Sequence, residues 1–228
     1  LGSVPRSVAD PLTTNDVNVT GTLNVLIAAR EAGVKRVMFA SSSSVYGDTP
    51  TLPKIETMRP MPMSPYAVSK LAGETYMQAF YHSYGLETVS LRYFNVFGPR
   101  QDPNSQYAAV IPRFVSALLS GDTPVIYGDG TQSRDFTYVR NVVHANLLAM
   151  KTKETHGEAV NIACGEATTI NDLLSSLCKQ CGTGIEAIYA DARPGDVKHS
   201  LADFSAANGL LGYSPVVTFS EGIQLTLD

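Results

Sequence analysis

Residues 34–40 read Val-Lys-Arg-Val-Met-Phe-Ala, a short apolar and β-branched run set between two stretches of helical periodicity. Such a run suits a strand buried on both faces of a parallel sheet. Before it, over residues 13–32, Val17, Val19, Leu23, Leu26 and Ile27 recur at helical spacing, and Gly33 can close the helix in the left-handed conformation. After it, Pro50, Pro53, Pro60, Pro62 and Pro65 mark a loop over the sheet edge. Ser64-Pro65 opens a second helix, with serine as the cap and proline where an N–H would be orphaned in any case. That helix runs to residue 84 and stops at Gly85. The alternation continues with strands at 88–96, 125–127, 136–139 and 159–163, and helices at 108–119, 141–150, 170–181 and 204–211. Strands separated by helices imply parallel α/β architecture with right-handed crossovers.

A chain of 228 residues with 44% hydrophobic content can bury a substantial core, as one large domain or two small interlocked ones. Lys and Arg number 17 against 21 Asp and Glu, a formal net charge of -4, so no basic excess attracts a nucleic-acid backbone. No apolar run approaches the roughly 20 residues that span a bilayer, and Leu1 opens no signal-like region. A soluble, cytoplasmic protein with no membrane partner is expected. Three cysteines make no disulfide framework and fit a reducing compartment. Cys178 and Cys181 form a C-x-x-C, but with no second pair nearby and inside an amphipathic helix they read as packing, not as a metal or redox site.

Chemistry concentrates in two segments. Tyr66 and Lys70 stand four residues apart, on one face of the second helix, where the ammonium is expected to lower the phenol's pKa and make Tyr66 a general base. Such a pair arises readily by chance and needs context. The context is the preceding strand, which ends in Ala40-Ser41-Ser42-Ser43-Ser44-Val45-Tyr46-Gly47. Its hydroxyls emerge at the carboxyl end of a parallel strand, where open α/β sheets place their ligands. A serine-rich loop can merely satisfy its own backbone, but the two segments together favour a site.

The order S-S-S-x-V-Y-G, then S-P-Y-x-x-S-K, then Leu91-Arg92-Tyr93-Phe94-Asn95-Val96-Phe97-Gly98 resembles the extended short-chain dehydrogenase/reductases, specifically the NAD-dependent epimerase/dehydratase family. Gly128-Asp129-Gly130, Arg134-Asp135-Phe136 and Arg193-Pro194-Gly195-Asp196 match in order, so the resemblance covers essentially the whole chain. Leu1 to Ser7 further resembles the branch that epimerises UDP-N-acetylhexosamines at C4. The resemblance implies that Ser42, Tyr66 and Lys70 are catalytic, with Ser42 bonded to the reacting oxygen, Tyr66 taking the proton of the sugar 4-hydroxyl and Lys70 holding the nicotinamide ribose. It implies a 4-keto intermediate formed with NAD⁺. It also implies that Asn18, Ala40, Ser41, Tyr93 and Phe94 lie near the NAD cofactor. Ser3, Ser43, Asn95, Val110, Tyr127, Arg134, Arg193, Asp196 and Ser200 would contact the UDP-sugar, with arginine forks on the diphosphate. Ser200 matches the position against the sugar's C2 substituent, where a small residue leaves room for an acetamido group.

The expected fold is an N-terminally truncated Rossmann-like parallel sheet with a smaller α/β substrate-binding domain. Residues 1–98 with roughly 129–164 would form the incomplete NAD-binding part, and 99–128 with 165–228 the nucleotide-sugar part. No G-x-x-G-x-x-G occurs in the sequence. In the family that motif begins the phosphate-binding helix, so roughly three strands would be missing and cofactor binding by this sequence alone should be weak. Helices 13–32 and 65–84 match the pair with which relatives build a four-helix dimer interface, so a homodimer is expected. A catalytically silent nucleotide-sugar binder is the alternative. A sugar-nucleotide 4,6-dehydratase is disfavoured, because Ser43-Ser44 stand where that branch carries an Asp-Glu acid/base pair.

Overall fold

The computed structural model describes residues 1–102, 109–192 and 198–227. The chain opens with α1 (Val4–Ala9) and α2 (Pro11–Asn15), a π-helical turn over Asp16–Thr20, and α3 (Gly21–Glu31). The helix expected over 13–32 is present from Pro11 to Glu31, with a π-helical turn inside it, and it is preceded by another short helix. Pro11 forces a fresh start, and the Asp10 carboxylate caps it by accepting from the Thr13 N–H at 3.1 Å.

β1 (Arg36–Ser42) follows, then a 3-10 turn at Ser43–Tyr46, the proline-punctuated loop, α4 (Pro65–Tyr84), β2 (Glu87–Tyr93) and β3 (Val96–Phe97). Ser64 caps α4 as the sequence suggests, accepting from the Ala67 N–H at 3.1 Å, and Gly85 ends it at φ 68. The strand foreseen over 88–96 divides at Phe94–Asn95, where Asn95 has φ 33.

Next come α5 (Val110–Ser120), β4 (Val125–Tyr127), β5 (Ser133–Arg134), β6 (Thr137–Tyr138), α6 (Val139–Lys151), β7 (Glu158–Ile162), β8 (Thr168–Thr169), α7 (Ile170–Cys181), β9 (Ile188–Ala190), α8 (Ser205–Leu211) and α9 (Phe219–Leu227). Sequence periodicity does not reveal β5, β8, β9 or α9, of which the strands have only two or three residues each.

The main sheet is parallel, in the order β1-β2-β7. Side chains of β2 alternate between its faces. Val89 and Leu91 join Ala145 and Ala149 of α6 and Leu211 and Tyr213 around α8, while Thr88 and Arg92 bond to residues of α4 on the other face. Val37 and Phe39 of β1 pack with Leu26, Met77 and Phe80 from α3 and α4. β1 lies at the edge of this sheet, and Met38 and Ala40 on its second face are exposed where the sequence pattern leads one to expect burial.

A second, larger core joins Phe97, Phe136 and Tyr138 to Ile111, Phe114, Leu173, Leu177, Phe219 and Ile223, with Cys178 and Cys181 packed against it. Parallel pairing of β4 with β9 and of β3 with β6 frames this half. No helix among the described residues is long and apolar enough to cross a membrane.

Candidate active site

Ser42 is the last residue of β1, and Tyr66 and Lys70 occupy the first two turns of α4, which packs on β1 and β2. The Ser42 hydroxyl is a near neighbour of the Tyr66 phenol, and the Lys70 ammonium lies 5.7 Å from the centre of the same ring. Lys70 also donates to the Ala40 carbonyl at 2.8 Å and rests over the Phe39 ring at 5.0 Å. Its ammonium has three donors, so two directions remain for a ligand. Burial raises the Tyr66 pKa, and the neighbouring Ser42 hydroxyl opposes that rise. The expectation that Lys70 dominates and lowers it is thus corrected: loss of hydration around the half-buried phenol outweighs its neighbours. Burial likewise lowers the pKa of Lys70.

The residues expected around the cofactor occupy several positions. Asn18 sits in the π-helical turn and donates its side-chain amide to Ser69 Oγ on α4 and to the Leu1 carbonyl, both at 2.9 Å. Ala40 offers an exposed strand edge, whereas Ser41 is buried and donates to the Glu74 carboxylate. Tyr93 exchanges hydrogen bonds with Asn146 of α6. Phe94 buries its ring beside Tyr46.

A cavity of about 390 Å³ opens beyond the carboxyl end of β2. Four of the expected UDP-sugar contacts, Asn95, Val110, Tyr127 and Arg134, line it. Asn95 Nδ2 donates to the Asp135 carbonyl at 3.0 Å, and Arg134 Nη1 donates to the Ser133 carbonyl at 2.9 Å. Two polar residues not singled out in the sequence also line it: Arg113, whose guanidinium stands 6.0 Å from the Tyr127 ring centre, and Gln132, which donates to the Tyr127 carbonyl at 2.7 Å. The signal for Arg113 was spacing, since Val110, Arg113, Phe114 and Ala117 share one face of α5. Such a cleft, mostly apolar with a few convergent polar groups, suits a base and its phosphates.

Other expected contacts are less central. Ser3 Oγ caps α1 by accepting from the Arg6 N–H at 3.2 Å, and Ser43 begins the 3-10 turn. Ser200 is partly buried, its N–H bonded to the Ser133 carbonyl at 3.0 Å, one residue from Arg134. Arg193 and Asp196 lie outside the described residues.

The parallel sheet, the hydroxyl–phenol–ammonium cluster at its carboxyl end and the adjoining cleft place this chain in the NAD dependent epimerase/dehydratase family, whose model matches residues 1–163. The chain is 47% identical to the UDP-N-acetylglucosamine 4-epimerase of Methanobrevibacter ruminantium M1, solved with UDP-N-acetylmuramic acid; the likeness covers 100% of this chain and 73% of that one at a TM-score of 0.96. It is 40% identical over 223 residues to a putative UDP-glucose 4-epimerase of Methanocaldococcus jannaschii, 97% of this chain and 72% of that protein. The UDP-glucose 4-epimerase of Thermus thermophilus, solved with NAD, is 39% identical and superposes at a TM-score of 0.90 over 100% of this chain and 74% of that one.

Proposed function

We propose that the protein interconverts the C4 epimers of a UDP-hexose in the cytoplasm, UDP-GlcNAc and UDP-GalNAc by preference, through a 4-keto intermediate. The observation that carries this reading is the meeting of Ser42, Tyr66 and Lys70 at the carboxyl end of the sheet, with Ser42 beside the phenol and the Lys70 ammonium 5.7 Å from its ring centre. The residues present fit the nicotinamide side of the family's cofactor: the Lys70 ammonium has two donor directions left for ribose hydroxyls, and the Ala40 edge beside it is open. When bound, NAD⁺ supplies reversible hydride acceptance at sugar C4.

The chain's own residues do the rest. Tyr66 takes the proton of the 4-hydroxyl and returns it to the epimeric alcohol, Ser42 holds the reacting oxygen in line, and Lys70 holds the nicotinamide ribose. Arg113 and Arg134 face the diphosphate, and Tyr127 meets the base. On this reading residues 1–98 with roughly 129–164 carry the cofactor, and 99–128 with 165–228 carry the nucleotide sugar. Two copies pair through α3 and α4, and the exposed Val17, Val25 and Val68 support that assembly. A 4,6-dehydratase reading lacks support, since Ser43 and Ser44 in the 3-10 turn cannot serve as an acid/base pair.

The test is chromatographic detection of UDP-GalNAc formed from UDP-GlcNAc with NAD⁺ present. Ser200→Tyr should then cut turnover of the N-acetylated pair about tenfold or more relative to UDP-glucose, because the phenol fills the space of the acetamido group. Equal loss on both pairs, or none on either, would remove Ser200 as the determinant.

A further inference from the structure

We propose that Glu74 and Arg92 are positioning residues for this reaction: their buried ion pair locks α4 onto the carboxyl ends of β1 and β2 and so sets where the Tyr66 phenol meets Ser42. The proposal rests on the epimerase reading of the Ser42–Tyr66–Lys70 cluster.

Tyr66, Lys70 and Glu74 follow one another at intervals of four, so they share a face of α4. Glu74 and Arg92 are 7% and 5% exposed. Arg92 grips the carboxylate with both arms of its fork, Nε to Oε1 at 2.9 Å and Nη2 to Oε2 at 2.7 Å. Oε1 also accepts from Ser41, the residue before Ser42. The third arm of Arg92, Nη1, donates to the Tyr46 hydroxyl at 2.9 Å, at the end of the 3-10 turn that Ser42 begins to cap. Tyr46 donates in turn to Asn161 Oδ1 on β7 at 2.6 Å, and the Asn161 N–H bonds Glu56 Oε1 at 2.6 Å. One continuous set of bonds thus joins the helix carrying Tyr66 and Lys70 to both sides of Ser42.

Stability does not account for such an arrangement. Two charges removed from water lose hydration that their attraction barely recovers, and an apolar pair of similar volume commonly holds a fold as well or better. What the fork supplies, and an apolar pair does not, is a fixed direction at each contact. In the active site, direction controls whether the phenol and the hydroxyl stay within hydrogen-bond reach. The groups facing the phenol are Ser42 from β1 and Lys70 from its own helix.

The variant Glu74→Leu with Arg92→Met removes both members of the ion pair at once, so neither is left as a buried charge without its partner, and it should fold. Steady-state kinetics should show kcat down about tenfold or more, with KM for the UDP-sugar within about twofold of the parent. Without NAD, the phenolate absorbance of Tyr66, isolated by subtracting a Tyr66→Phe partner in each background, should titrate about half a pH unit or more higher as the phenol and the Ser42 hydroxyl draw apart. Arg92→Lys keeps the charge but loses the fork, and should fall between the two. A stable double variant with the parent's kcat and Tyr66 titration would overturn the proposal; if that variant does not fold, unchanged values in Arg92→Lys would do so. A parent without epimerase turnover would refute the functional reading instead, and the absorbance titration would then decide the positioning role alone.

Discussion

Asp135 shows how a single side chain can be both necessary and costly. Its carboxylate is fully buried and accepts from the N–H groups of Cys164 at 2.9 Å, Gly165 at 3.0 Å and Ala202 at 3.2 Å. Burial pushes its pKa up to about 6, even though the three N–H groups pull the other way. The folded state therefore binds this proton more readily than the unfolded chain does. Stability from this group is fully present below the unfolded carboxylate value near 4 and is lost as pH rises through about 6. In denaturant titrations the parent should gain on Asp135→Asn as pH falls from 6 to 4, by about 2 kcal/mol. A difference that stays flat over this window would contradict the assignment. Tyr66 and Lys70 were legible in the sequence because their relation needs only a helix. Glu74, Arg92 and Asp135 were not, because their partners lie 18 to 67 residues away and only the folded sheet brings them together.

Among the elements, the turn after β1 is held by a close approach. Gly47 has φ 65, and a Cβ there would collide with the Met61 carbonyl oxygen. The chain returns to this point because the Met61 N–H bonds the Val45 carbonyl at 2.9 Å, closing the proline-punctuated loop back on the turn that carries the serine hydroxyls. Gly47→Ala meets both a strained backbone and a backbone oxygen, and should destabilise the protein by about 2–4 kcal/mol, read as a lowered unfolding midpoint. The helices at 65–84 and 170–181 were readable because long periodic segments with serine, threonine or glycine ends leave a strong pattern. The two-residue strands were not, since two residues cannot display a period and their pairing depends on distant partners such as Ser133 with Thr169.

For the whole molecule, the proposed assembly through α3 and α4 gives a measurable mass. Val25→Glu puts a charge on an exposed apolar position of α3, 60% accessible in the single chain, and should convert a dimer to a 24.4 kDa monomer by light scattering at micromolar concentration. A parent that is monomeric at high micromolar concentration would count against the assembly. The parallel character of the main sheet and the site at its carboxyl end were readable from the alternation of elements, but the shared core of Phe97, Phe136 and Phe219 was not, because it gathers residues from distant parts of the chain. The three donors around Asp135 also impose an order on synthesis. Ala202 leaves the ribosome 67 residues after the carboxylate it must reach, so the emerging chain carries a hydrated, charged Asp135 until that segment has been made. The packing around Asp135 therefore closes in translation only after the parallel sheet behind Tyr66 has had its strands available for pairing.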